Sequence, residues 1–246
     1  MKILVCISRT ADTTAKIAFS NNNTKFDETG VQFIMNPYDE WYALVRAMEL
    51  KEKMGATVHL ILVGDQQSEP IIRKGLAYGA DDAVRIDSGS ADPYFIASQI
   101  AGYSQLEHFD LILTGKETID FNGSAIGGMV AGFLGIPFIS LATWFELNGT
   151  QVIVRREIEG GTETCRVELP IVISCQKGVA EMRTPSIRGI TSARLKPLLV
   201  IAPREAPEFT EVVRFELPAA KSGVKLVSAD HPEELVRLLH EEARVI

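Results

Sequence analysis

Short apolar runs alternate with amphipathic helical patterns through roughly the first 140 residues of the chain. Runs rich in Val, Ile and Leu are typical of strands that are buried on both faces of a parallel sheet. Strands separated by helices pair in parallel through right-handed crossovers, so the pattern predicts a doubly wound, mainly parallel α/β sheet. The predicted strands are residues 3–7, 58–63, 83–86, 111–113 and 136–141.

The first predicted helix begins with a run of polar residues. Asn36 is the expected N-cap, Pro37 the first helical residue, and Asp39 follows three positions after the cap. Asp39 and Glu40 are expected to be capping carboxylates that compensate the helix dipole, and not an acid/base pair. The predicted helices are residues 36–54, 69–78, 92–106 and 125–134.

Two further stretches have an antiparallel pattern. Residues 24–26 and 31–34 are expected to form a small hairpin. After residue 145, alternating apolar and polar positions flank Glu159-Gly160-Gly161, which predicts a strand, a glycine turn and a returning strand within residues 150–175. Glycine and proline punctuate residues 178–207, so that region is expected to be irregular.

The end of the chain is expected to form an arm. One more strand is predicted at residues 224–227, and an amphipathic helix at residues 231–245. The predicted organisation is an α/β domain over residues 1–205 and a C-terminal arm over residues 206–246.

Composition narrows the class of protein. The chain has 46% hydrophobic residues and a net charge of −7, which is typical of a soluble globular protein and argues against nucleic acid as the main partner. Its apolar runs are too short to insert into a membrane. Met1 lies directly before the first strand and leaves no room for a transit peptide, so we expect the bacterial cytoplasm over the mitochondrial matrix. Cys6, Cys165 and Cys175 are expected to be reduced core thiols, and no metal site is expected.

Three loops are candidates for chemistry because doubly wound sheets bind ligands beyond the carboxyl ends of their strands. They are residues 6–12, 36–39 and 115–128. The third begins at Gly115, contains Gly123, Gly127 and Gly128, and opens a helix, where backbone N–H groups favour a phosphate, although it matches neither the P-loop nor G-x-G-x-x-G. The alternative is ordinary turn chemistry. The sequence offers no nucleophile, metal cluster or acid/base dyad.

The hairpin region, VRREIEGGTETCRVELPIVIS over residues 154–174, resembles the β subunit of electron-transfer flavoproteins. The resemblance extends over essentially the whole chain, and Cys165 departs from it where the family usually has Leu, Ile or Val. It implies a Rossmann-like, adenine-nucleotide α-hydrolase-like fold with an extended C-terminal arm. The residues that carry the resemblance are Arg156, Glu159, Gly160, Gly161, Glu163, Leu169 and Pro170.

The resemblance also implies a function. The chain is then an electron carrier without catalytic residues of its own, paired with an α subunit that holds most of the FAD. Electrons pass from flavin dehydrogenases, such as the acyl-CoA dehydrogenases of fatty acid oxidation, to a quinone oxidoreductase. The alternatives are a bifurcating form with a second FAD in the β site, a stand-alone nucleotide-binding regulatory domain or ATP-using enzyme, and a structural scaffold.

An AMP site in the β subunit is a further implication. Ser124-Ala125-Ile126 stands where the family usually has polar residues including Gln, so side-chain hydrogen bonds to phosphate are lost and the implied site is weakened or empty. Tyr38 matches an aromatic position near the flavin. The implied cofactor-binding residues are Cys6, Asn36, Pro37, Tyr38, Asp39, Val63, Gly115, Lys116, Glu117, Thr118, Ile119, Asp120, Phe121, Asn122, Gly123, Ser124, Ala125 and Ile126.

Residues 181–197 resemble the loop with which the family binds its partner dehydrogenases. Ile187 is the implied aliphatic anchor, flanked by Arg183 and Arg188 in a loop that is locally cationic because its sequence has no acidic residue after Glu181; an ordinary solvated loop is the alternative. Arg188 replaces a usual Pro and Thr184 a usual Tyr, which leaves loop stiffness and partner identity open. The tail is expected to lie against the α subunit through the apolar side chains of Phe209, Val212, Val213 and Phe215.

Overall fold

A nine-stranded sheet forms the centre of the fold in the computed structural model, which describes residues 1–220 and 223–246. Seven neighbouring strands are parallel. The two strands at one edge, residues 151–158 and 161–168, are antiparallel to their neighbours. The doubly wound α/β prediction is confirmed. In spatial order the strands are β11 (Gly161–Glu168), β10 (Gln151–Ile158), β9 (Phe138–Asn148), β12 (Ile171–Cys175), β8 (Leu111–Gly115), β1 (Lys2–Cys6), β6 (Thr57–Val63), β7 (Asp82–Ile86) and β13 (Leu198–Ile201).

Helices cover both faces of this sheet. Successive residues of β1 point to opposite faces of the sheet. Ile3 and Val5 therefore pack with the helices of residues 39–54 and 69–77, whereas Leu4 and Cys6 pack with those of residues 93–107 and 126–134. Each fully buried aliphatic side chain contributes about 1.5–3 kcal/mol to folding. The helices are α1 (Asp39–Met54), α2 (Glu69–Ala77), α3 (Pro93–Glu107), α4 (Ile126–Leu134), α5 (Ile187–Ala193) and α6 (Pro232–Leu238).

The segment before α1 differs from its prediction. Residues 24–26 and 31–34 do not pair with each other. β4 (Lys25–Phe26) pairs with β3 (Phe19–Ser20) across three asparagines with positive φ. β5 (Phe33–Met35) pairs with β2 (Arg9–Ala11), where the Arg9 guanidinium lies 3.3 Å from the centre of the Phe33 ring.

The antiparallel region is larger than predicted. The hairpin turn is confirmed, because Ile158 pairs with Gly161 across Glu159 and Gly160, and Gly160 has φ 77°. β9, however, continues to Asn148 and adds a third strand to the hairpin. The apolar run after Pro170 is not part of the returning strand. It forms β12, which lies in parallel between β8 and β9.

Residues 178–207 are more regular than predicted, because they contain α5 and the edge strand β13. The expected strand at residues 224–227 is absent from the described part of the arm. The final helix is confirmed in place, but it passes into a π-helical turn at Leu239–Ala243. Within residues 1–220 and 223–246, no helix is long and apolar enough to span a membrane.

The start of the C-terminal arm packs on its own chain. The Phe209 ring lies 4.6 Å from that of Tyr94, and the Phe215 ring stacks 5.0 Å from that of Phe19. The buried carboxylate of Asp92 caps α3 and also accepts hydrogen bonds from the backbone of Phe209 and Thr210. Two of the four aromatic and aliphatic side chains expected to face a partner are therefore already in contact with the α/β domain.

Candidate functional site

The strand-end loops predicted to carry chemistry meet at one edge of the sheet. β8, β1 and β6 are neighbours, so Gly115, Cys6 and Val63 end adjacent parallel strands. Gly115 lets α1 approach closely, because a Cβ there would lie 2.8 Å from Cγ of Glu40. The carboxyl edge of the sheet is therefore closed from one side by the first turn of α1.

Asn36 joins two of these loops, and the prediction that it caps α1 is wrong. The helix begins at Asp39, its N-cap position is Tyr38, and no side chain caps it. The fully buried Asn36 amide instead donates to the Glu117 carbonyl at 2.9 Å and accepts from the Ile119 N–H at 3.0 Å. The Asn36 side chain therefore forms with the backbone of the loop of residues 115–126 the two hydrogen bonds that a neighbouring strand would otherwise form.

Two more contacts hold the same loop. The Asp39 carboxylate accepts from the Glu117 N–H at 3.3 Å, and the Lys116 ammonium pairs with the Glu117 carboxylate at 2.8 Å. On the other side, the Asn36 N–H donates to the Ser8 carbonyl at 3.2 Å. The loops after β1, β5 and β8 thus form one hydrogen-bonded unit, which includes Lys116, Glu117, Thr118 and Ile119 as half-buried residues.

The second part of the loop is open to solvent. Phe121, Asn122, Gly123 and Ser124 are exposed, as is Asp120 before them. Asn122 and Ser124 have φ of 50° and 48°, which is a left-handed backbone conformation. Side-chain donors here are few, since the Ser124 hydroxyl already donates to the Glu117 carboxylate at 3.3 Å.

The start of α4 has the properties of an anion site built from main-chain groups. Ala125 is its N-cap and supplies no side-chain cap, so the first-turn N–H groups keep their partial positive charge. Gly127 packs against β8, where a Cβ would lie 2.8 Å from Oγ1 of Thr114, a buried hydroxyl with no partner in the described structure. These groups fit a phosphate through the backbone, which agrees with the loss of polar side chains at residues 124–126.

Glu40 does not act as an exposed capping carboxylate. It is buried, and its carboxyl group accepts hydrogen bonds from the Ser8 N–H and hydroxyl, both at 2.7 Å. Burial raises the pKa of Glu40 to about 8, although the hydrogen bonds from Ser8 oppose the shift. Glu40 is therefore mostly protonated at neutral pH and adds little negative charge to the edge that a phosphate would approach.

The neighbouring groups respond to the same burial. Desolvation raises the pKa of the Asp39 carboxyl, with the Lys116 ammonium acting against the shift. A hydrogen bond to Glu117 raises the pKa of Lys116, which stays charged. Burial, reinforced by the Glu40 charge, raises the pKa of the Cys6 thiol. A thiol of this kind is a poor nucleophile, so Cys6 contributes packing and backbone position only.

Tyr38 is the exposed residue at this edge. Its side chain is 56% exposed, and its backbone has φ 66°, a strained conformation for a residue other than glycine. Pro37, before it, is half-buried. The arrangement presents an aromatic ring to solvent beside the nucleotide loops, where a second protein or a ring system can pack on it.

The predicted partner-binding residues lie elsewhere. Ile187 begins α5 and is 85% exposed, and Arg188 beside it is exposed as well. Arg183 pairs with Glu52 near the end of α1 at 3.0 Å, so a carboxylate from another element compensates one cation of this loop. α5 packs on α2, and residues 181–197, here called the docking segment after their predicted role, lie apart from the loops of residues 36–39 and 115–128.

Ser8, Glu40 and Thr114 were not selected as site residues, although Ser8 lies in the candidate loop of residues 6–12 and Glu40 was interpreted as a helix cap. Ser8 and Thr114 lie at the carboxyl ends of β1 and β8, so the strand-end rule that selected Cys6 and Gly115 also applies to them. Glu40 had no such signal. A carboxylate in the first turn of a helix is usually solvated, and only the fold shows that this one points inward.

Comparisons with known proteins agree with this arrangement. Residues 23–206 match the family model described as the electron transfer flavoprotein domain. The electron transfer flavoprotein subunit beta of Bacillus subtilis is 37% identical over 261 residues, with the whole of both chains covered. The human subunit beta is 32% identical over 256 residues, covering 100% of this chain and 99% of the human one. The mitochondrial subunit beta of Arabidopsis thaliana is 34% identical over 257 residues, again with both chains covered.

Proposed function

This chain belongs to the family of electron-transfer flavoprotein β subunits, and we propose that it pairs with an α subunit to carry electrons from flavin dehydrogenases, such as acyl-CoA dehydrogenases, to a quinone oxidoreductase. Similarity over the full length to β subunits from bacteria, plants and animals carries this proposal. FAD, held mainly by the α subunit, supplies the redox chemistry when bound. The β chain positions that cofactor and the partner proteins.

The carboxyl edge of the sheet binds AMP in this proposal. The support is the buried bridge of Asn36 to the backbone of Glu117 and Ile119, together with the uncapped start of α4. The first-turn N–H groups of α4 hold the phosphate, and the glycines allow its close approach. Because the contacts are mostly main-chain, the affinity depends on the shape of the loop rather than on individual side chains.

The flavin and the α subunit contact two other parts of the chain. Tyr38 borders the flavin from the β side, which its exposure permits. The part of the arm beyond Thr210 packs on the α subunit, because Val213, Leu217 and Leu226 are 75%, 61% and 89% exposed. Apolar side chains exposed to this extent in one segment mark a protein interface.

The docking segment binds the electron donor. Ile187 inserts into an apolar pocket of the dehydrogenase, and Arg188 and Arg194, both exposed, form a cationic rim. A single apolar anchor with a charged rim gives a weak contact that forms and breaks with each electron transfer. We place the complex in a bacterial cytoplasm, which the three free thiols support and cell fractionation tests.

The test is to co-express the chain with an α subunit and to count the cofactors of the purified assembly. We expect a yellow heterodimer that releases one FAD and one AMP on denaturation. Two FAD per heterodimer would instead support the bifurcating form, with the second flavin in the β site. A colourless monomer that hydrolyses or tightly binds ATP would support a nucleotide-binding regulatory domain or an ATP-using enzyme.

A further inference from the structure

α5 is a short helix that presents apolar side chains to solvent. It has seven residues, and Ile187 at its start and Leu195 just beyond its end are 85% and 89% exposed. A helix of this length is not stable in water without tertiary contacts. Its one fully buried side chain is Ala193, 3% exposed, on the side of α2. So small a side chain buries too little apolar surface to hold the helix alone.

Polar contacts from α2 hold the end of α5. The Arg73 guanidinium donates through Nη1 to the carbonyls of Ala193 at 2.9 Å and Lys196 at 2.6 Å. Carbonyls in the last turn of a helix have no partner within it, and a cation there also compensates the helix dipole. Arg73 therefore caps α5 from a residue 120 positions earlier in the chain.

A second pair of hydrogen bonds runs in the opposite direction, from the docking segment to α2. The Lys196 ammonium donates to the carbonyls of Leu76 at 3.0 Å and Ala80 at 2.5 Å, in and just after the last turn of α2. Each segment thus supplies a cation to main-chain carbonyls of the other, and the Leu76 carbonyl also accepts from the Gly79 N–H at 3.1 Å. We call Arg73, Lys196 and these four carbonyls the reciprocal cap.

Gly189 brings the two helices close enough for the reciprocal cap to form. A Cβ at this position would overlap the Ala77 carbonyl oxygen. The Ser186 hydroxyl caps the other end of α5 by accepting from the Gly189 N–H at 3.0 Å. Both ends of α5 are therefore capped, and its backbone lies directly on the end of α2.

We propose that Arg73 and Lys196 are positioning residues that hold α5 in its docking conformation before the electron donor arrives. The link to the donor rests on the proposed function. A segment that is already ordered does not lose conformational entropy on binding, so the exposed Ile187 makes a productive contact at lower donor concentration. Removing the reciprocal cap would leave the Ile187 side chain unchanged, but the backbone that carries it would become mobile.

The experiment uses the complete heterodimer with the variants Arg73→Met and Lys196→Met, and with Lys74→Met as the control. Lys74 lies on α2 beside Arg73 and is exposed. The first readout is backbone hydrogen exchange, which we expect to rise about 10-fold or more in residues 186–197 for both cap variants but not for the control. The second is flavin reduction by an acyl-CoA dehydrogenase with its substrate. We expect the KM for the dehydrogenase to rise about 3- to 10-fold with kcat nearly unchanged.

The two readouts separate the possible failures. Residues 186–197 that already exchange freely in the unmodified protein would overturn the proposal, as would faster exchange with an unchanged KM. If the unmodified assembly is not reduced by any flavin dehydrogenase, the proposed function falls, whereas faster exchange confined to residues 186–197 in the variants would still support the reciprocal cap. If the Lys196→Met heterodimer does not assemble, Lys196→Arg is the replacement variant, because it retains the cation. We expect its KM for the dehydrogenase to stay within about 2-fold of that of the unmodified protein. A rise in this KM equal to that of Arg73→Met would count against the reciprocal cap.

Discussion

The proposed nucleotide loops (residues 6–12, 36–39 and 115–128) and the docking segment differ in which side chains are buried and which are exposed. At the carboxyl edge, the buried polar side chains of Asn36 and Glu40 face inward and shape a backbone that is presented to a ligand. In the docking segment, the apolar side chain of Ile187 faces outward, and the cations Arg73 and Lys196 lie behind it. The proposed AMP site therefore rests on a fixed main-chain loop, whereas the proposed donor contact rests on an exposed side chain with rigid support behind it.

The largest expected effect comes from removing the bridge between the nucleotide loops. Asn36→Ala leaves the Glu117 carbonyl and the Ile119 N–H without their buried partner. We expect a loss of about 2–4 kcal/mol in the free energy of unfolding and at least about a 10-fold weaker affinity for AMP. Denaturant unfolding and calorimetric AMP titration measure the two effects. The KM for the electron donor should not change.

Asn148→Ala is the matched control for this variant, because Asn148 is exposed and remote from the loop. Equal losses in the two variants, or a changed donor KM in Asn36→Ala, would erase the distinction between the two regions.

The second effect is a pH dependence that belongs to the carboxyl edge alone. Burial gives Glu40 a pKa of about 8 in the folded state, against 4.5 for an ordinary glutamate, so the folded state holds a proton that the unfolded state releases. The associated stability is present below about pH 4.5 and is lost as the pH rises toward 8. Between pH 6 and pH 8 the loss is about 2 kcal/mol, since one unit of pKa corresponds to about 1.4 kcal/mol.

Glu40→Gln should flatten this dependence, because a neutral amide can keep hydrogen bonds to the N–H and hydroxyl of Ser8 without titrating. Unfolding free energies of both proteins at several pH values from 5 to 9 test the expectation. Parallel curves for the two proteins would show that Glu40 does not carry the effect.

The smallest expected effect on stability, and a specific one on binding, belongs to the anchor. Ile187→Ala removes an exposed side chain, so the melting temperature should stay within about 1 °C. The KM for the donor dehydrogenase should rise about 10-fold, which corresponds to about 1.4 kcal/mol of docking energy. Ile17→Ala serves as the control, since Ile17 is also exposed, at 45%, and lies outside the docking segment. A similar rise in KM for both variants would remove Ile187 from its role.

The same two regions show how far the sequence alone reaches. The strands and the glycine loop were predictable because apolar alternation and the strand-end rule are local signals. Asn36 was singled out in the sequence, but its predicted role as the cap of α1 was wrong. A side-chain amide before a helix looks the same whether it caps that helix or binds a loop 81 residues away.

The docking segment was less predictable for the same physical reason. α5 contains a glycine and follows a proline, so its local propensity is poor, and its stability comes from Arg73 far earlier in the chain. β13 follows Pro197 and pairs only with β7, a strand more than a hundred residues away in sequence. The exposed anchor itself, Ile187, was found through the family resemblance, and no rule of hydrophobic burial would have selected it.

The central claim is that this chain performs no bond-making itself and helps to seat a flavin that passes electrons between proteins. The most direct test is an anaerobic absorption titration of the purified two-chain assembly with an acyl-CoA dehydrogenase and its substrate. The claim predicts that the flavin absorption band bleaches with each addition and returns when a quinone oxidoreductase and quinone are supplied. An assembly that stays colourless when supplied with excess FAD would contradict the claim. So would an assembly whose flavin is reduced by dithionite but not by flavin dehydrogenases.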